Sequence, residues 1–228
     1  MLRNLDDDLW VVDHDLRMPG GIDIGTRTTL VRLSDGGLFM HSPGPLSPEL
    51  VDSINALGPV RHIVAPNDFH HLYVDENAEA WPEARIHVSA GLPAKRADLA
   101  AAQVLGDEAP GAWAADLEQV QIRGAPRVNE VVFYHPRSRT LVVTDLVFNL
   151  GREGSFMVRL FMRLNGVAGR FTASRFMKLM YRDRAAAAKS ARKVFDWDFD
   201  RVILTHGEVV DTGAKKRLEP EFAWLLAS

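Results

Sequence analysis

Between residues 118 and 145 the chain reads as three strands in succession, at 118–122, 130–135 and 140–144. Only the turn-forming stretches Gly124-Ala-Pro and Pro136-Arg-Ser-Arg separate them. Three consecutive strands break the regular βαβ alternation that a doubly wound parallel sheet requires. The earlier chain is also strand-rich, at 9–12, 28–33 and 38–41, with Asp35-Gly-Gly as a hairpin signal. Ser47 and Pro48 then suit the cap and first residue of a helix that carries Leu50, Ile54 and Leu57 and stops at Gly58-Pro59. Strands follow at 61–65 and 84–89, and a last one at 201–205. After Gly151, Phe156, Leu160 and Leu164, then Phe176, Leu179 and Met180, recur at helical spacing. Further helices are expected at 183–195 and 218–226. Two β-rich stretches, each finished by helices, predict two sheets packed face to face with helices outside, an αββα sandwich of the α/β class. No repeat, low-complexity tract or Pro/Gly linker divides the chain, so one domain over 1–228 is expected.

Composition narrows the chemistry. With no cysteine, disulfides and thiolate metal sites are excluded, and any metal must be held by His, Asp or Glu. There is no apolar run long enough for a membrane span, and the first residues carry no apolar signal core, so a cytoplasmic protein is expected. The formal charge of −3 hides an asymmetry. Residues 151–193 hold eleven Lys/Arg against two acids, a net +9 that leaves −12 on the rest of the chain. Such a stretch suits an anionic membrane, nucleic acid or an anionic substrate, or else forms a solvated helical face, which is the commoner case. Its Met and Phe residues suit packing, a lid or a homodimer contact. Nucleic acid ranks below these, because the arginines interleave with no recognisable binding motif.

The polar residues fall in a pattern. His70 and His71 lie just past the strand ending at Ala65, Asp145 directly follows Thr144, and His206 directly follows Thr205. Singly, a loop histidine is usually exposed or a packing donor, and an aspartate after a strand is often a turn former. Three strands that each deliver such a group at their C-terminal ends point instead to a shared centre. Imidazoles with a carboxylate suit a borderline divalent cation.

Gly37-Leu-Phe-Met-His-Ser-Pro-Gly, Ile63-Val-Ala-Pro-Asn-Asp-Phe-His-His, Thr144-Asp145-Leu and Leu204-Thr-His206-Gly207 resemble, in order, the motifs of the metallo-β-lactamase superfamily. The likeness looks nearest to a bacterial family within it whose loop reads Pro-Asn-x-x-His-His. The superfamily's own loop reads His-x-His-x-Asp-His. Laid on this chain, its residues fall on Pro66, Asp68, His70 and His71. Its turn histidine has no counterpart in Gly124-Ala-Pro-Arg-Val-Asn-Glu. The resemblance therefore implies one divalent metal, zinc foremost with iron or manganese as alternatives, held by His70, His71, Asp145 and His206. Adjacent His70 and His71 would need diverging backbone geometry to share it. Asp68 is implied either as a general base or water-orienting group, or as a cap on its loop. Glu130 is a weaker substitute for the missing turn ligand, and His41 a donor behind the site. His14, His62, His87 and His135 are read as structural or exposed. The implied activity is metal-dependent hydrolysis of an ester, thioester, lactone or phosphoester. The alternatives are a binding or scaffold protein that keeps the fold, and an iron-dependent oxidoreductase.

Overall fold

Strand side chains alternate between faces, so a strand buried on both sides must be apolar at every position. That requirement explains the unbroken runs in this sequence. The protein is described by a computed structural model, covering residues 1–18 and 22–226. In chain order, β1 (Leu2–Asp6), β2 (Leu9–His14), β3 (Arg17–Met18), β4 (Ile22–Asp23), β5 (Thr26–Arg32) and β6 (Leu38–His41) lead to α1 (Pro48–Asn55) and β7 (Val60–Ala65). Next come α2 (Val74–Ala80), β8 (Arg85–Val88), α3 (Leu92–Lys95), β9 (Gln103–Val104), β10 (Glu118–Gln121), β11 (Val131–His135), β12 (Thr140–Val143) and β13 (Phe148–Leu150). The chain continues through α4 (Phe156–Asn165), β14 (Arg170–Thr172), α5 (Arg175–Met180), α6 (Arg184–Asp196), β15 (Arg201–Leu204), α7 (Ala214–Leu218) and α8 (Ala223–Leu226).

Two main sheets result, one ordered β1-β2-β5-β6-β7-β8-β9 and the other β10-β11-β12-β15. In the first, β1, β2, β5 and β6 pair antiparallel and β6 to β9 parallel. In the second, β12 pairs antiparallel with β11 and parallel with β15. Leu9, Val11, Val31, Phe39 and Val64 of the first sheet meet Val131, Phe133, Val142 and Ile203 of the second in one buried cluster. Their alternating neighbours turn outward. Trp10, Leu30, Leu38, Met40 and Ile63 pack beneath Ile54 of α1. Val132, Tyr134, Leu141, Val143, Val202 and Leu204 pack against α4 to α8. The layers therefore run helix, sheet, sheet, helix, as the consecutive strands foretold.

Local signals hold where they were strong. Ser47 caps α1 by accepting from the Leu50 amide at 3.3 Å, and Pro48 opens the helix. The basic segment is less uniformly helical than its spacing predicts. Gly166, at φ 72°, closes α4 in the left-handed conformation, and β14 then pairs with β13 before α5 begins. Residues 218–226 likewise divide into the end of α7, a 3₁₀ turn with Pro220 near its start, and α8. Proline brings no amide donor to continue an α-helix. Among the described residues no helix is long and apolar enough to cross a membrane.

Phe133 is fully buried between the sheets, with its ring 5.1 Å from Phe39 and 5.5 Å from His41, both near edge-on. Phe133→Ala is expected to cost about 3–5 kcal/mol of stability, read from urea unfolding. A loss below about 1 kcal/mol would mean that the inter-sheet cluster is not a close-packed core.

Candidate metal centre

Sheet register does the first part of the positioning. Val143 of β12 is paired with Leu204 of the parallel β15. Two residues further along each chain stand Asp145 and His206, so both leave the same sheet edge side by side. Gly207 holds the second chain close to β13. Its φ is +103°, and a Cβ there would lie 2.2 Å from the Asn149 carbonyl oxygen. The His206 carbonyl accepts from the Asn149 amide at 3.2 Å, and its ring stacks on Phe148 at 5.5 Å.

His70 comes from the first sheet, on the loop after β7, and Asn67 decides where that loop points. The Asn67 Oδ1 accepts from the amides of Phe69 and His70, both at 2.9 Å, which folds the loop into an Asx turn. Its Nδ2 donates to Asp145 Oδ2 at 2.7 Å and to Thr144 Oγ1 at 2.9 Å. One buried amide thus orders the His70 loop and orients the carboxylate on the opposite sheet. From beneath, the Glu130 carboxylate accepts from the Thr144 amide at 2.7 Å and the Asp145 amide at 3.1 Å.

The outcome is a trio. His70 Nε2 lies 3.3 Å from Asp145 Oδ2, and His206 Nε2 lies 3.6 Å from Asp145 Oδ1. One donor atom from each residue falls within 4.8 Å of the others. His206 Nδ1 sits 2.7 Å from the Gly25 carbonyl oxygen, which can only accept. Nδ1 therefore carries the hydrogen, and Nε2 presents a lone pair to the centre. His70 Nδ1 is 3.0 Å from Ser42 Oγ, leaving its Nε2 on the same centre. Burial pushes the His206 imidazole down to about 4, so it is neutral at neutral pH. Burial would raise Asp145, but the adjacent His70, then His206 and the Asn67 amide, outweigh it and hold the carboxyl below its usual range. Glu130 moves the other way, raised by burial and by the nearby Asp145 charge. Two imidazoles and one ionised carboxylate match the donor set of a divalent cation site with open positions.

The other expected residues lie elsewhere. His71 is not brought to the trio. The turn sends it towards Arg96, whose guanidinium donates to His71 Nδ1 at 3.3 Å. Burial first, then Lys95 and Arg96, lowers its pKa. Asp68 is also turned away. Its Oδ1 accepts from Ser89 Oγ at 2.6 Å and its Oδ2 from Asn129 Nδ2 at 2.8 Å, so it joins the loop to the turn before β11 through side chains rather than capping backbone amides. Glu130 holds the two amides named above and acts as a brace. His41 is fully buried at the edge of Phe133, with neither ring nitrogen hydrogen-bonded among the described residues. His14, His62, His87 and His135 do have partners: Thr28, each other for the middle pair, and Ser138. Asn67 was missed from sequence, although Pro66-Asn67 before two loop histidines is an Asx-turn signal. Glu130 carries no local signal of its role.

The trio forms part of the wall of a cavity of about 540 Å³. Its walls are largely apolar, including Leu16, Ile24, Phe69, Phe148, Phe161 and Phe176, and among the described residues no Lys or Arg lines it.

Comparison with known proteins bears on the fold. The sequence model of the family described as "Domain of unknown function (DUF4336)" matches residues 6–164. No curated protein matches the chain. A metallo-β-lactamase from Pontibacter korlensis superposes with a TM-score of 0.65 at 14% identity, over 100% of this chain and 99% of that one. The metallo-β-lactamase FIM-1 from Pseudomonas aeruginosa, in a mono-zinc form, gives 0.61 at 12% identity, over 95% and 91%. The Flv1 flavodiiron core from Synechocystis gives 0.65 at 12% identity, over 100% of this chain and 60% of that one. At these identities the likeness establishes the metallo-β-lactamase fold.

Burial pushes His87 down to about 4 and His41 to about 3, alongside His206. An unfolded chain binds these protons near 6.5, so between that pH and about 4 the unfolded state takes up more protons than the folded one. Stability measured by urea unfolding, without added metal, is therefore expected to fall steadily across that window. A midpoint that stays flat from pH 6.5 to 4 would contradict the neutral, buried assignment.

Proposed function

The chain belongs to the DUF4336 family and has the metallo-β-lactamase fold, and from that premise we propose that it is a metal-dependent hydrolase of apolar carboxylic esters, thioesters or lactones. The observation that carries this reading is the trio His70, Asp145 and His206 on the wall of a largely apolar cavity. A divalent ion held by these three would polarise a carbonyl oxygen and acidify water, with zinc the first candidate. One ion is proposed rather than two. With the superfamily's loop laid on this chain, Asp68 stands where a histidine would help hold a second ion, and both its oxygens are engaged by Ser89 and Asn129. That a metallo-β-lactamase of the same fold exists in a mono-zinc form supports a single-ion reading.

The chain's own residues have definite tasks. His206 is held in its ligating tautomer by the Gly25 carbonyl. Asn67 keeps Asp145 turned to His70, and the Glu130 carboxylate fixes the backbone that carries it. Phe148 covers one face of His206 and keeps water from it. Phe161, Phe176 and Phe69 would receive the apolar part of the substrate, placing its carbonyl beside the trio. Among the described residues no Lys or Arg lines the cavity, which speaks against phosphoesters, whose charge would need a cationic partner.

Metal analysis after zinc-replete purification tests the core of the proposal. About one zinc per chain is expected, and Asp145→Asn or His206→Ala should remove it together with hydrolysis of a nitrophenyl acyl ester. Asn67→Ala should weaken zinc affinity about 10–100-fold by releasing Asp145, while leaving the fold in place. Zinc content near zero in the wild type would end this reading.

A further inference from the structure

Among the described residues ten large apolar side chains are exposed, and six of them lie on α4 and α5. On α4, Phe156, Leu160 and Leu164 recur every fourth residue as a stripe, with Met157 beside it. Phe176 and Leu179 continue the apolar surface on α5. Phe156 is 68% exposed, Leu164 64% and Leu179 76%. Isolated apolar residues on a surface need no explanation, but a concentration of this kind marks an interaction site.

The charges say what fits there. Arg159 and Arg163 sit on the rim of the stripe, and Arg175 and Lys178 on α5. Among the described residues Arg159 and Arg175 bond backbone carbonyls, of Gly154 and Leu164, and pair with no carboxylate. An amphipathic helix with Phe and Leu on one face and arginines at its margin has the chemistry of a helix lying in a lipid interface. The charge asymmetry orients the whole molecule. Of the +9 carried by residues 151–193, four cations stand on α4 and α5, which hold no acid, while the chain outside that segment carries −12, so a negative surface attracts this face. A second copy of the chain fits less well, because a two-fold contact would set the basic patch against its own image.

We propose that the α4–α5 face docks the protein on an anionic lipid bilayer, inserting Phe156, Leu160, Leu164 and Leu179 between headgroups while Arg159, Arg163, Arg175 and Lys178 meet lipid phosphates. Phe161 and Phe176 belong to these helices and also line the cavity, so docking brings the cavity beside acyl chains. That last consequence rests on the hydrolase reading; the docking itself does not.

Flotation of the purified full chain tests it, using vesicles of phosphatidylcholine alone and of phosphatidylcholine mixed equally with phosphatidylglycerol. The chain should float with the anionic vesicles and stay behind with the neutral ones. Leu164→Ser combined with Leu179→Ser should lower binding about tenfold or more. Arg159→Glu combined with Arg163→Glu should lower it roughly fivefold or more for each charge removed. Both pairs are exposed, and thermal unfolding should be unchanged in them. As a measurement that needs no loss of binding, Leu164→Trp should add a blue-shifted emission quenched by brominated acyl chains. Failure to float with anionic vesicles, or equal flotation by wild type and both variant pairs, overturns the proposal. So does a lipid-free dimer that Leu164→Ser with Leu179→Ser converts to a monomer. Zinc binding is read independently, so loss of one result leaves the other standing.

Discussion

The buried amide of Asn67 is the contact on which the site depends. It accepts two amides of its own loop and donates across the sandwich to Thr144 and Asp145, so it ties the exit of β7 in one sheet to the exit of β12 in the other. The neighbouring backbone reinforces the tie. The Asp68 amide bonds the Val128 carbonyl and the Val131 amide bonds the Pro66 carbonyl, both between the loop and the turn before β11. A buried polar side chain is costly unless its hydrogen bonds are made, and at Asn67 both ends are occupied. The same completeness makes the geometry unforgiving. Loss of this one group leaves the His70 loop without its turn and the Asp145 carboxylate without its donor.

Two buried carboxylates beneath one another would ordinarily repel strongly. Here they divide the roles. Asp145 stays ionised because two imidazoles and an amide face it, while burial and the neighbouring Asp145 charge push Glu130 up. The site thus concentrates negative charge at the carboxylate whose two oxygens each face one imidazole nitrogen, and places a bracing acid out of reach of the cavity. A cation at the trio would answer that charge, which is why the donor chemistry and the electrostatics agree.

The order of layers was legible because it follows from burial at period two. Residues 131–134 and 141–143 are apolar at consecutive positions, and both of their faces are covered, by the other sheet on one side and by helices on the other. The cap at Ser47 was legible for an equally local reason. Less could be read where neighbours in space decide. The spacing of Phe156 through Met180 is helical, yet β14 interrupts it because β13 offers an edge to pair with. His70 and His71 are indistinguishable by type and adjacent in the chain, but one joins the trio and the other faces Arg96.

What the sequence determined by itself is what depends on residue type and periodicity. The strands and their apolar faces, the exclusion of thiolate ligands, the delivery of His70, Asp145 and His206 at strand ends, and the basic, amphipathic stretch after Gly151 all belong there. Tertiary structure alone decided the register that sets Asp145 beside His206, the assignment of Asn67 and Glu130 as braces, and the turning away of Asp68 and His71. It also set the apolar cavity against the trio. The physical reason is one of range. Propensity and alternation act within a few residues, whereas a hydrogen bond between Asn67 and Asp145 exists only after two sheets have packed and excluded water between them.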